Sequence, residues 1–158
     1  MQLPCDQAQV VEKRLPTPHL LRSHGKVATL EVLIPRGARF IYGLLGADFS
    51  PNDSRELTIQ VSSSTVFVPI TDWSLARGLD SVRTGIPPWA AHDILNAASI
   101  AAADFGSGLL RFSIGAFGEI GSNVWVFRNL TKAVVALLLI EEPLSEERLG
   151  LILQQCFG

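Results

Sequence analysis

The stretch from Val124 to Glu142 constrains the fold of this chain more than any other. At helical spacing its apolar residues point almost all the way round, and only Arg128, Asn129, Thr131 and Lys132 interrupt them. Such a helix cannot rest on a surface with one side in water; it must be covered on more than one side. Strands earlier in the chain can cover one side, a final helix another, and a partner subunit the rest. The approach to this helix is as specific as the helix. Residues 115–123 (GAFGEIGSN) run from a strand directly into it, with glycines at 115, 118 and 121 and Ser122 or Asn123 as the expected cap.

Glycines there free the backbone where a helix N-terminus presents unpaired N–H groups. Two readings follow. The loop can cradle the phosphate of a nucleotide, with Gly118, Gly121, Ser122 and Asn123 as ligand-binding residues. It can equally be a capped strand-to-helix turn. Glu119 places negative charge inside the loop, no Lys or Arg lies within it, and Arg128 follows a turn and a half later. The capped turn is therefore the first reading and the phosphate cradle the second.

The rest of the chain supplies the cover. Residues 1–25, with Pro4, Pro16 and Pro18, read as an irregular N-terminal arm, and residues 26–158 as a single domain. Residues 26–34 (KVATLEVLI) form a first strand halted by Pro35, and residues 40–45 a second. Residues 48–54 have loop composition. Residues 57–62 alternate cleanly, with Leu57, Ile59 and Val61 inward and Thr58, Gln60 and Ser62 outward. The apolar run 65–70 is a further short strand or an extension of that one, before Pro69 ends it, and residues 74–79 add a helical turn.

Pro87 and Pro88 suit the first turn of a helix over 89–104. Ala91, Ile94, Leu95, Ala98 and Ala102 share one side of it, with His92, Asn96 and Ser99 opposite. Gly106 and Gly108 end it, and a strand over 109–117 leads to the glycine block. After Pro143, Ser145 caps a last helix whose stripe is Leu149, Ile152, Leu153, Cys156 and Phe157. The order βββαβα plus a C-terminal helix predicts an α+β, two-layer sandwich, with helices on one face of a mostly antiparallel sheet.

This chain resembles the fourth domain of elongation factor G at residues 85–95 (GIPPWAAHDIL). That family carries a similar Gly-Ile-Pro run, an aromatic residue and then its first helix. The Gly-Ser-Asn before the apolar helix sits where the family has its last strand and a Ser-containing helix start. The likeness covers residues 26–140 at most and implies the fold; function does not come with it. The glycine loop also resembles, more faintly, the Gly-Leu-Gly-Ser-Ser loop of small-metabolite kinases, which implies phosphate binding.

Composition bounds the partners. Of 158 residues, 47% are hydrophobic and only 18% charged, against roughly 25% in an average soluble domain. A chain so short of charge is expected to bury apolar surface by self-association, through its last two helices. Residues 1–40 hold six Lys/Arg against three acids, and the remainder seven against twelve. Such a basic arm is first read as simply solvated, and otherwise as docking on a neighbouring subunit or touching an anionic partner. Arg36 and Arg39, with His92 and Asn96 on the outer helix face, are the candidate partner contacts. Arg22, Lys26, Arg36 and Arg39 interleaved with Phe40 and Tyr42 offer an RNA-facing patch, which the net charge of −2 disfavours.

Chemistry is sparse. His92 and Asp93 are adjacent in a helix and so point about 100° apart, and residues 62–65 offer hydroxyls without a base at a usable spacing. Cys5, His19 and His24 lack the fourth ligand a structural zinc needs. Cys5 and Cys156 are expected as reduced thiols, and the longest apolar run, 133–140, falls short of a bilayer span. With no leader-like N-terminus, a cytoplasmic protein without membrane, metal or cofactor is expected. No catalytic residue is assigned. The function expected is a non-catalytic, self-associating or protein-binding domain. The alternatives are a phosphate- or nucleotide-binding enzyme using residues 118–123, and an RNA- or ribosome-associated factor.

Overall fold

In a computed structural model, residues 8–17, 25–64 and 66–158 are described. Strands β1 (Gln9–Pro16), β2 (Lys26–Arg36), β3 (Arg39–Pro51), β4 (Glu56–Ser63), β5 (Pro69–Ile70), β6 (Val82–Thr84) and β7 (Gly108–Gly118) make one sheet. Its order is β1-β4-β7-β3-β2, with β6 on the far end of β7 and β5 outside β6. All pairs are antiparallel except β4 with β7. Helices α1 (Pro88–Ala101), α2 (Val124–Leu139) and α3 (Glu146–Phe157) follow the sequence order β6-α1-β7-α2-α3. The protein is an α+β sandwich.

Local chemistry sets the longest pair. Gly37 (φ +62°) and Ala38 close a two-residue turn between the paired Arg36 and Arg39, as a primed hairpin turn requires. The closing pair of such a hairpin exchanges hydrogen bonds, so even-numbered residues of β2 bond to β3 and odd-numbered ones turn their N–H and C=O outward. This explains why β2 continues through Pro35 to Arg36 instead of halting before it. Pro35 stands at an outward position on an edge strand, where its missing N–H breaks no ladder bond. β3 likewise runs on to Pro51, through residues whose composition reads as loop.

The largest departure lies in the arm. Gln9–Pro16 forms β1, paired in register with β4 from Gln9↔Ser63 to Pro16↔Glu56. Its charged run Glu12, Lys13, Arg14 suits an exposed sheet edge, which charge protects from pairing with other chains. Such a strand buries little and shows weak alternation, so its composition looks irregular. β5 and β6 are shorter still, and Pro69 begins β5 rather than ending a strand.

The helices cover one face of the sheet. Phe49, Leu57, Ile59, Phe112, Ile94, Phe127 and Leu130 are fully or almost fully buried between the layers, each contributing about 1.5–3 kcal/mol. The five small and branched residues expected on the buried side of the first helix are all buried. α2 approaches β3 so closely that a Cβ on Gly43 would stand 2.8 Å from Leu130 Cδ1. The sheet takes one side of α2, α1 another and α3 a third. Its two uncharged polar interruptions are satisfied within the helix: Thr131 Oγ1 donates to Phe127 O (2.7 Å) and Asn129 Nδ2 to Trp125 O (3.0 Å). α1 therefore supplies cover that the sequence leaves open to a partner.

On the opposite face, residues 71–81 fold over one end of the sheet. Ala76 and Val82 pack there with Tyr42, Leu44 and Ala116. No described helix is long and apolar enough to cross a membrane.

Candidate functional site

The turn from β7 into α2 is held by a carboxylate from a distant part of the chain. Asp80, at the end of the 71–81 segment, accepts from Ile120 N at 3.0 Å and from Gly121 N at 2.7 Å. Its other contact is Ser81 N at 2.8 Å. A Cβ on Gly118 would fall on this carboxylate, and one on Gly121 would stand 2.6 Å from Phe40 Cε2. Glycine is needed at both positions because neighbours crowd the backbone. Ser122 Oγ accepts from Gly118 N (2.9 Å) and donates to Tyr42 O (2.6 Å), while Tyr42 N donates to Gly121 O. Asn123 caps α2 by accepting from Val126 N.

Gly118, Gly121, Ser122 and Asn123 are thus brought together, and their hydrogen-bonding groups are occupied by Asp80, Tyr42 and the helix itself. Asp80 sits where an external anion would. Glu119 points away to Arg83 (2.8 Å). Arg128 does not serve the loop: it holds Asp93 of α1 at 2.7 Å. The same pair separates Asp93 from His92, which stands exposed on α1 with Asn96.

The other candidate contacts lie elsewhere. Arg36 stacks on Trp125, 4.5 Å from the ring centroid, and Arg39 is exposed beside it on the hairpin. His92 and Asn96, on α1, do not join them. Tyr42 is fully buried, which removes it from any RNA-facing patch; its hydroxyl donates to Glu31 Oε1 at 2.9 Å. Burial, and then Glu31, push its pKa well above the ordinary value. Cys5, Arg22, His19 and His24 lie outside the described residues. Burial raises the pKa of the Cys156 thiol, which disfavours a reactive thiolate. Among the described residues no group of three His, Cys, Asp or Glu is gathered as metal ligands would be.

A second feature is a groove along the free edge of β2. It measures about 420 Å³ and is lined by Glu31–Ile34, Leu75, Leu153, Gln154, Phe157 and Gly158. A separate hollow of about 310 Å³ lies further along the same strand at Val27–Thr29, beside Leu137, Ile140, Glu142 and Leu144. β2 is the floor. Leu33 and Leu75 form the wall on the open face of the sheet, and Ile34, Leu153 and Phe157 the wall on the helical face. Glu31 is turned away by its bonds from Tyr42 Oη and Leu75 N. Unlike the exposed run of β1, the one charge in the middle of this edge is therefore held back by two hydrogen bonds. The outward backbone groups of Val27, Thr29, Glu31 and Leu33 have no backbone partner among the described residues.

Asp80 and this groove escape sequence reading for one reason. Each joins residues forty or more positions apart, and nothing local marks Asp80 except the turn composition around it. Compared with known proteins, the chain matches no family model, no curated protein and no solved structure.

Proposed function

We propose that this protein is a non-catalytic protein-interaction domain that receives an extended segment at the β2 edge. The observation that carries this reading is the coincidence, on one edge, of unpaired backbone groups and apolar walls on both faces of the sheet. Strand addition uses both: main-chain hydrogen bonds give affinity, and alternate side chains fill pockets on either face. Large edge strands are normally blunted by charge, as β1 is. The β2 edge lacks that protection over its middle, while α2 is already covered by the sheet, α1 and α3. The interface therefore belongs to the β2–α3 edge rather than to the outer surfaces of the last two helices.

The test is backbone amide NMR with a short Val/Ile peptide, flanked by charged residues for solubility, added to millimolar concentration. Thr29, Glu31 and Leu33 amides should shift and slow their exchange with solvent. Unchanged resonances and exchange at these three positions would refute the reading.

A further inference from the structure

We infer that the segment bound at β2 belongs to another protein, runs antiparallel to β2, and reads acidic, then apolar on both faces, then basic from its amino to its carboxyl end. This rests on the strand-addition reading above and adds the chemistry of the partner.

The length follows from the edge. Outward groups are offered at Val27, Thr29, Glu31 and Leu33, and the next outward residue, Pro35, has no N–H to give. The ladder therefore ends at Leu33 and spans seven residues of β2, roughly 23 Å of strand. The central composition follows from the walls. An ordinary amphipathic strand would leave its polar face against Leu33 and Leu75 or against Leu153 and Phe157. Only a segment apolar on both faces is buried by both walls.

The charges at the two ends differ in sign. At the Val27 end, Glu142 lines the separate hollow, and Glu141, Glu146 and Glu147 stand exposed on the connector and the first turn of α3. Among the described residues the cations there are Arg148, which lines the same hollow as Glu141, Glu142 and Glu147, and Lys26, whose ammonium is taken by Ile140 O. At the far end stand Arg36 and Arg39. A basic residue of the ligand thus belongs beside Val27 and an acidic one beyond Leu33. Antiparallel pairing, the more stable kind per residue, turns these positions into an acidic amino end and a basic carboxyl end.

A second copy of this chain fits less well. Two β2 edges could approach to the roughly 4.8 Å of paired strands only if their own walls gave way. Antiparallel pairing of β2 about Glu31 also sets that residue against its copy and Lys26 against Arg36. The partner is accordingly a segment without walls of its own.

The experiment compares two capped, fluorescently labelled nine-residue peptides by anisotropy at low salt. One carries two Glu, five alternating Val and Ile, and two Lys; the other has the Glu and Lys ends exchanged. The first should bind about fivefold to tenfold tighter, as several exposed ion pairs change sign. The preference should reverse in the double variant Glu142→Lys, Arg39→Glu, whose two sites are exposed and tolerate exchange. Leu75→Lys should weaken both peptides. Equal affinities with Thr29 and Leu33 amides protected would overturn the polarity and leave strand addition standing. Absence of protection by either peptide would sink strand addition as well. Concentration-dependent dimerisation that protects the same amides without peptide would make the occupant a second copy and overturn the proposal.

Discussion

Replacing Asp80 by Ala isolates the clamp that holds the β7–α2 turn. Three backbone donors lose a charged acceptor, at 2.8 Å for the exposed neighbour Ser81, 3.0 Å for Ile120 and 2.7 Å for Gly121. They are not equivalent. Ile120 is 78% exposed, so water replaces the carboxylate there at little cost. Gly121 is buried, and its N–H is left without a partner. A buried orphan donor costs about 1–3 kcal/mol, and a hydrogen bond to a charged group is worth about 1.5–3 kcal/mol. These figures overlap rather than add, and Asp80 itself is partly solvated. The net expectation is about 2–3 kcal/mol. For a chain of this size that lowers Tm by about 4–12 °C in a calorimetric or circular-dichroism melt.

Asp80→Asn should recover less than half of the loss, since its amide hydrogens face donors. The Ala variant also empties the cradle that Asp80 occupies. Sulfate at ten times its Kd should return about 1.4 kcal/mol to that variant. Because sulfate stabilises folded proteins generally by exclusion, the quantity to read is the extra shift over the wild type at matched ionic strength. An Asp80→Ala protein within about 0.5 kcal/mol of wild type, or equal sulfate shifts in both, would refute the reasoning.

Tyr42 is the one tyrosine in the sequence, so tyrosinate absorbance reports it alone. Its folded pKa lies above the ordinary 10.0 through burial and Glu31. The unfolded chain then loses the proton first: stability is intact below about pH 10 and falls as pH rises beyond it. Tyrosinate absorbance should appear together with loss of helical circular dichroism, and Tyr42→Phe should shift the alkaline transition upward; tyrosinate forming in a still-folded chain would contradict this. Gly121→Ala, which brings a Cβ against Phe40, should cost about 1–3 kcal/mol by overpacking in denaturant titration. Asp93→Ala removes an exposed pair with Arg128 and should change stability by less than about 1 kcal/mol in the same titration.

Elements were legible where burial wrote a period into the sequence. The alternation at 57–62, the stripe on α1 and the capped starts of α2 at Asn123 and α3 at Ser145 all stand as the residues imply. β1 was not legible, because an edge strand with Glu12, Lys13 and Arg14 buries too little to show a pattern. Nor was the continuation of β2 through Pro35. Whether a proline ends a strand depends on which way its absent N–H would point, and the hairpin register decides that.

The same division runs through the candidate sites. Sequence alone determined that a glycine-rich turn launches an apolar helix needing cover on several sides, because backbone freedom and side-chain periodicity are local properties. It left open what lies against that turn and that helix. The fold answered both by bringing Asp80 to the amides of Ile120 and Gly121, and α1 to the face of α2 left for a partner. It also placed Leu75 and Leu153 on opposite sides of one free strand edge. Such pairings depend on loop closure and sheet order across tens of residues, where no local signal in the sequence can carry them.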